Sequence, residues 1–268
     1  MTKLLNGRDL ADYIKQRHVK QVRSLNGSKV FPKLAIVQVK DDPVINTYVN
    51  LKKKYGADIG VDVEIHTPSQ ADVSKLLEKL NKVESVHGII VQLPLTDPTQ
   101  TDEIVNQVAP EKDVDALGKD AKFEPATPNA IMWLLAGYNI SLAGKKVLLI
   151  GRGKLVGAPL EKILKSSGVD VTVVDGPTDR LTNLTKEANL IITAASTPGI
   201  LHANMIMPAT VIVDAGVAGE EGDTRGNVSE DVYQMEDITI TPHKGGVGPL
   251  TVCALFENVI RAAYSAKK

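Results

Sequence analysis

A single cysteine among 268 residues excludes an internal disulfide. Cys253 sits in an apolar helical pattern near the C-terminus and reads as a small core residue. The five histidines, His18, His66, His87, His202 and His243, lack metal-ligand spacing, so no metal is assigned. No serine–histidine–acid pattern supports a hydrolytic nucleophile. Charge of one sign is not in excess: the net value is -1. That excludes a general attraction to nucleic acid or to an anionic membrane. No apolar run is long enough to span a bilayer. The stretch from Met1 to Ile14 carries both signs of charge and no apolar segment of signal-peptide type. The expectation is a cytoplasmic protein. Low-complexity tracts and short repeats are absent as well.

What is present is a core-forming chain, 43% apolar and 24% charged, of a length that fits one large domain or two modest ones. Helical and strand-like patterns alternate throughout, which predicts α/β architecture with parallel sheets. A first helix starts at Asn6 or Asp9. Strands are expected at 32–39, 61–66 and 88–93, with helices after the first two. A Pro-, Asp- and Thr-rich stretch runs from Pro94 to Pro128. A second series follows, with strands at 146–150, 169–174, 190–193, 210–214 and 238–240 and a helix at 157–167. The predicted division is an N-terminal domain over 1–124, completed by a C-terminal helix within 250–268, and a dinucleotide-binding domain over 125–249.

Tyr48 and Lys52 are four residues apart in a predicted helix and share one face. A lysine is a base near neutral pH only when burial or nearby positive charge lowers its pKa from about 10.4. The plainer reading of Lys52-Lys53-Lys54 is a solvated basic surface. Gln92 ends a predicted strand, where ligands of open α/β sheets bind, and can orient a lysine. Lys112-Asp113-Val114-Asp115 places two carboxylates in a loop; Asp115 can accept from the amino and ring N–H groups of a heterocycle.

Gly151, Gly153 and Gly157 follow an apolar strand and precede a helix. Glycines there let the backbone turn tightly and let a phosphate approach the helix N-terminus. The spacing is one residue longer than the usual fingerprint, and a plain strand-to-helix turn would also use these glycines. Asp175, at the end of the next strand, can accept from a ribose 2′-OH and would repel a 2′-phosphate. Arg152 could reach a 2′-phosphate, so the two residues point to opposite cofactors. Gly245-Gly246-Val247-Gly248-Pro249 permits close backbone approach to a ligand or a tight connection back to the first half.

These segments, in this order, resemble the methylenetetrahydrofolate dehydrogenase/cyclohydrolase (FolD) family over nearly the full length. The resemblance rests on Tyr48-Val49 with Lys52 and Lys54, on Gly88 to Leu95, and on Pro110 to Asp115. It continues through Pro125 with Thr127-Pro128, Gly151-Arg152 with Val156-Gly157 and Pro159, and Thr241-Pro242 with Gly245 to Pro249 and Thr251. It implies two α/β domains, an N-terminal catalytic one and a Rossmann-type one, flanking a cleft, usually as a homodimer. It implies oxidation of 5,10-methylenetetrahydrofolate with NADP or NAD, then hydrolysis of the methenyl cation to 10-formyltetrahydrofolate. Carried over residue by residue, the catalytic lysine falls on Lys52, its partner glutamine on Gln92 and the ring-orienting tyrosine on Tyr48. The pterin-binding aspartate falls on Asp115, with Gly245, Gly246 and Pro249 at the substrate. Gly151, Arg152, Gly153, Val156, Gly157 and Asp175 fall at the cofactor.

The chain departs from the family pattern at several of these places. Ile45 stands for a serine, Ala116 for a glycine, Ala126 for a cysteine and Gly153 for the serine of Gly-Arg-Ser. Asp175-Gly176 stands for a His-Ser pair, and His243-Lys244 interrupts the Pro-Val-Pro-Gly-Gly run. Loss of the serine and the His-Ser pair removes expected partners of a 2′-phosphate, which shifts the expectation towards NAD. The alternative function is a diverged ligand-binding paralogue with little dehydrogenase turnover, or one that keeps only the cyclohydrolase. A different lysine-dependent dehydrogenase, resembling shikimate dehydrogenase, is opposed by the Val91–Leu95 and Lys112–Asp115 runs.

Overall fold

The computed structural model describes residues 2–216, 218–220 and 223–266. Along the chain run β1 (Lys3–Leu4), α1 (Gly7–Gly27), β2 (Lys33–Gln38), α2 (Pro43–Ile59), β3 (Asp62–His66), α3 (Val73–Lys82), β4 (Gly88–Gln92) and α4 (Thr101–Val105). Then follow α5 (Ala126–Gly137), β5 (Lys146–Ile150), α6 (Gly157–Ser166), β6 (Asp170–Val174), α7 (Leu181–Glu187), β7 (Leu190–Thr193) and β8 (Val211–Asp214). The short pair β9 (Ala218–Glu220) and β10 (Asp223–Arg225), β11 (Thr239–Ile240) and α8 (Val247–Ser265) complete the order. The chain forms two compact units: residues 12–126 with the chain from 252 onward, and residues up to 11 with 127–251.

The unit built on 12–126 has a parallel sheet of order β3-β2-β4. β2 is central, with Leu34 opposite Val63 on one side and Gly88 on the other. Leu34, Ala35, Ile36 and Val37 are all completely buried. A strand covered on both faces has no solvent side, which is why this run is continuously apolar and does not alternate. The helix α3 sets Val73, Leu77 and Leu80 against Ala35, Val37, Ile89 and Val91. α2 has well-defined ends. The Asp42 carboxylate accepts from the Val44 and Ile45 amides at 2.9 and 3.3 Å, and Pro43 fills the first turn. Gly60 closes the helix at φ 85°. Ile45, Val49, Gly56 and Ile59 form its buried stripe, so Ile45 is a packing residue. A Cβ at Gly56 would lie 2.4 Å from Val63 Cγ2, which shows how closely α2 rides over β3.

The second unit holds a six-stranded parallel sheet of order β1-β11-β8-β7-β5-β6. Its core gathers Leu148, Ile150, Ile191, Ile212 and Ile240 from the strands with Leu201 and Val232 from the connections. One expectation is corrected here, and one helix adds to those expected. Residues 1–11 were expected with the first domain, but β1 pairs with β11 (Lys3 opposite Thr239), so the N-terminal strand completes this sheet. A two-residue strand carries no readable alternation. The helix α5 was not predicted; its Ala130, Ile131, Leu134 and Leu135 are buried, and a helix apolar on most sides shows no amphipathic period. The other predicted elements occur with ends displaced by a few residues. Among the described residues no helix is long and apolar enough to cross a membrane.

Candidate active site

Four of the residues singled out by the sequence lie in the same unit. Lys52 on α2 donates from Nζ to Gln92 Oε1 at 2.7 Å. Gln92 closes β4, and its Nε2 donates to the Leu93 carbonyl at 3.0 Å, which holds the amide with its oxygen towards the lysine. The peptide between Leu93 and Pro94 is cis. Burial pulls the Lys52 ammonium below the ordinary lysine value, while the Asp115 carboxylate pulls the other way. Burial likewise raises the Asp115 carboxyl, opposed by Lys52. Each group thus stabilises its partner's charged form, and for both the desolvation is larger. Tyr48, one helical turn before Lys52, is 37% exposed. Burial raises its phenol further above 10, so it remains a neutral hydrogen-bond donor.

The loop that carries Asp115 is built by residues whose part was not visible in the sequence. Lys112 Nζ donates to the carbonyls of Leu80, Asn81 and Val83 at 3.2, 2.8 and 2.8 Å. It caps the C-terminal end of α3 and is removed from the site. The Ile89 amide donates to the Lys112 carbonyl at 2.8 Å, laying the loop along the free edge of β4. Asp113 turns inward and accepts from the Gly118 amide at 2.8 Å and the Leu117 amide at 3.4 Å. Of the two aspartates, then, Asp113 staples the loop, while the charge of Asp115 acts on Lys52. Ala116 has φ 56°, a left-handed conformation that disfavours a side chain. The family glycine expected at that position therefore has a backbone reason. From the C-terminal helix, buried Asn258 donates to the carbonyls of Val114 and Glu124 at 2.9 and 2.8 Å.

The glycine turn lies in the other unit, between β5 and α6. Gly151 has φ 98°, and a Cβ there would lie 2.4 Å from the Ala194 carbonyl oxygen. A Cβ on Gly157 would lie 2.1 Å from the Gly151 carbonyl oxygen. Both positions need glycine for the turn itself. Gly153 differs: it is exposed, and nothing lies within 4 Å of where its Cβ would be. α6 then starts at Gly157 with Val156 as its cap residue, and Val156 supplies no side-chain bond to the first amides. An open glycine beside a helix N-terminus without a side-chain cap fits the pyrophosphate of a dinucleotide. Arg152 Nε donates to Glu161 Oε2 at 2.6 Å. Asp175 is exposed just past β6, and its charge also acts on Arg152.

At the carboxyl ends of β7 and β8, Asp214 accepts from Thr193 Oγ1, the Gly216 amide and the Val228 amide at 2.8, 3.0 and 3.1 Å. Asn227 bridges Ala195 and Thr197 through its amide. This network holds the strand ends and had no sequence signal. Gly245 and Gly246 face the start of α1. The Gly7 amide donates to the Gly245 carbonyl at 2.8 Å, and a Cβ on Gly7 would lie 1.8 Å from the Gly246 carbonyl oxygen. A Cβ on Gly245 would meet Arg8 Nε at 2.6 Å. The chain itself occupies the room these glycines create, and Pro249 stands in the first turn of α8.

Comparison with known proteins bears on both units. The model of the tetrahydrofolate dehydrogenase/cyclohydrolase catalytic domain matches residues 5–115, and that of the NAD(P)-binding domain of the same family matches 125–267. The bifunctional protein FolD of Exiguobacterium sibiricum is 34% identical over 276 residues, covering 98% of this chain and all of that protein. The crystal structure of the Campylobacter jejuni bifunctional FolD superposes with a TM-score of 0.93 at 33% identity, covering 99% of each chain. The Trypanosoma brucei methylenetetrahydrofolate dehydrogenase-cyclohydrolase, complexed with NADP cofactor and an inhibitor, gives 0.92 at 26% identity over 98% of each. With both family models and full-length relatives in agreement, the chain belongs to the tetrahydrofolate dehydrogenase/cyclohydrolase family, with a catalytic α/β domain followed by an NAD(P)-binding one.

Proposed function

We propose that Lys52, held by Gln92, is the proton carrier of a methylenetetrahydrofolate dehydrogenase/cyclohydrolase, and that NAD is the preferred cofactor. The observation that carries the catalytic assignment is the 2.7 Å bond from Lys52 Nζ to Gln92 Oε1, on a lysine that also feels the charge of Asp115. Loss of a hydride from the methylene carbon leaves a cation stabilised by two nitrogens, so this step chiefly demands positioning. When bound, the nicotinamide accepts that hydride. Asp115 accepts from the amino and ring N–H groups of the pterin, and Tyr48 orients the ring.

Hydrolysis asks more of the protein. Water adding to the cationic carbon must lose both its protons on the way to the formyl oxygen: one passes to the ring nitrogen as its bond to that carbon breaks, and the other leaves to solvent. An amine with a lowered pKa can take the first proton and return it to the nitrogen. Gln92 keeps the amine aimed without carrying a charge of its own.

The cofactor preference is supported by exposed Asp175 at the end of β6 and by Gly153, which has no hydroxyl where the family has serine. The test follows absorbance with 5,10-methylenetetrahydrofolate and either NAD+ or NADP+, and hydrolysis of added methenyltetrahydrofolate above the buffer rate. Turnover with NAD+ and accelerated hydrolysis are expected. A clear preference for NADP+ would sink the cofactor assignment alone. Silence in all three assays would make a ligand-binding paralogue the better account.

A further inference from the structure

The sequence sets Arg152 against Asp175, one favouring a 2′-phosphate and one opposing it. The structure adds a third residue to that contest. Glu161 lies one turn into α6 from Gly157, is 8% exposed, and has both carboxylate oxygens engaged. Oε2 accepts from Arg152 Nε at 2.6 Å and Oε1 accepts from Lys165 Nζ at 2.6 Å. The Lys165 contact is an i,i+4 pair pointing along the helix, away from the turn. The Arg152 contact draws the guanidinium back from the turn onto the helix.

Resting on the reading of the Gly151–Gly157 turn as the dinucleotide cradle, we infer that Glu161 is a specificity-determining residue. It holds Arg152 in a carboxylate pair and so denies that arginine to a 2′-phosphate. The charges explain why the effect is large. Within the Arg152–Glu161 pair the two charges cancel, so the pair itself offers no net attraction to an anion. A ribose phosphate carries close to two negative charges at neutral pH. To bind it, Arg152 must leave a short, charge-assisted bond, and Glu161 would keep only Lys165 as a partner. A ribose 2′-OH makes no such demand. Asp175 adds repulsion, but it is exposed and screened; Glu161 acts through the one cation at the turn that the sequence assigned to phosphate.

The test measures binding of ADP-ribose and of 2′-phospho-ADP-ribose to the full chain by calorimetry, with no nicotinamide and no turnover. The readout is the ratio of the two dissociation constants. In Glu161→Gln the ratio should move towards the phosphorylated ligand by about tenfold, as expected for release of one charge-assisted partner. Adding Arg152→Met to that variant should abolish the gain. Lys165→Met keeps the Arg152–Glu161 pair, so its ratio should stay or move the other way. An unmoved ratio in Glu161→Gln, a gain that survives loss of Arg152, or a gain in Lys165→Met would overturn the inference. Failure of the unaltered chain to bind either ligand would instead remove the cradle reading, and the inference with it.

Discussion

Asn258, on the last helix, donates its side-chain amide to the carbonyl of Val114 at 2.9 Å, one residue before Asp115. The same nitrogen reaches the Glu124 carbonyl at 2.8 Å. One buried side chain therefore ties α8 to both ends of the loop that presents the aspartate. Asn258→Ala leaves these acceptors without their donor and should cost about 2–3 kcal/mol of stability, read by denaturant unfolding. In the folded fraction, KM for the folate substrate should rise more than kcat falls. A stability change under half a kcal/mol would show that the loop does not depend on this tie.

That tie joins residues 144 positions apart, which is why no local pattern announced it. Strands such as Leu34–Val37 and Val147–Ile150 were legible because a parallel strand buried on both faces needs an unbroken apolar run. The Tyr48/Lys52 face was legible because helical period alone puts residues four apart together. Which of Lys52, Lys53 and Lys54 turns inward, and which of Asp113 and Asp115 staples the loop, depends on tertiary packing. Glu161 carried only the ordinary i,i+4 signal with Lys165; its hold on Arg152 crosses from helix to turn.

Ala116 occupies a left-handed conformation, φ 56°, next to Asp115. A Cβ in that region costs about 1–2 kcal/mol, and the added freedom of glycine in the unfolded chain gives back about half of it. Ala116→Gly should therefore stabilise the protein by about 1 kcal/mol, seen as a rise in Tm. No gain, or a loss, would show that the alanine methyl makes a compensating contact.

The lowered pKa of Lys52 has a definite consequence for rate. Burial favours the neutral amine, so the proton-accepting form accumulates at lower pH than in an ordinary lysine, whose value is 10.5. Methenyl hydrolysis above the buffer rate should climb with pH along one ionisation and then level off. Lys52→Met should lower it by about a hundredfold or more and remove that ionisation. Lys52→Arg, permanently charged, should fail to restore it. An unchanged pH profile in Lys52→Met would exclude the lysine as the group observed.

The opposite sign applies at Glu257. His18 Nε2 lies 2.9 Å from its Oε2, Arg17 donates to the same oxygen at 2.5 Å, and His18 Nδ1 lies 3.0 Å from the Tyr55 hydroxyl. His18 first, and Arg17 after it, hold the Glu257 carboxyl below its ordinary value of 4.5. A carboxylate whose folded pKa is depressed stabilises the fold above its unfolded pKa, and that contribution disappears as pH falls through the folded value. Glu257→Gln should lose about 1–3 kcal/mol at pH 7, because a charged acceptor is exchanged for a neutral one beside completely buried His18. The two stability curves should converge as pH falls below the ordinary carboxylate value. Curves that stay parallel down to acid pH would mean that the loss comes from packing among α1, α2 and α8, not from the ionised carboxylate.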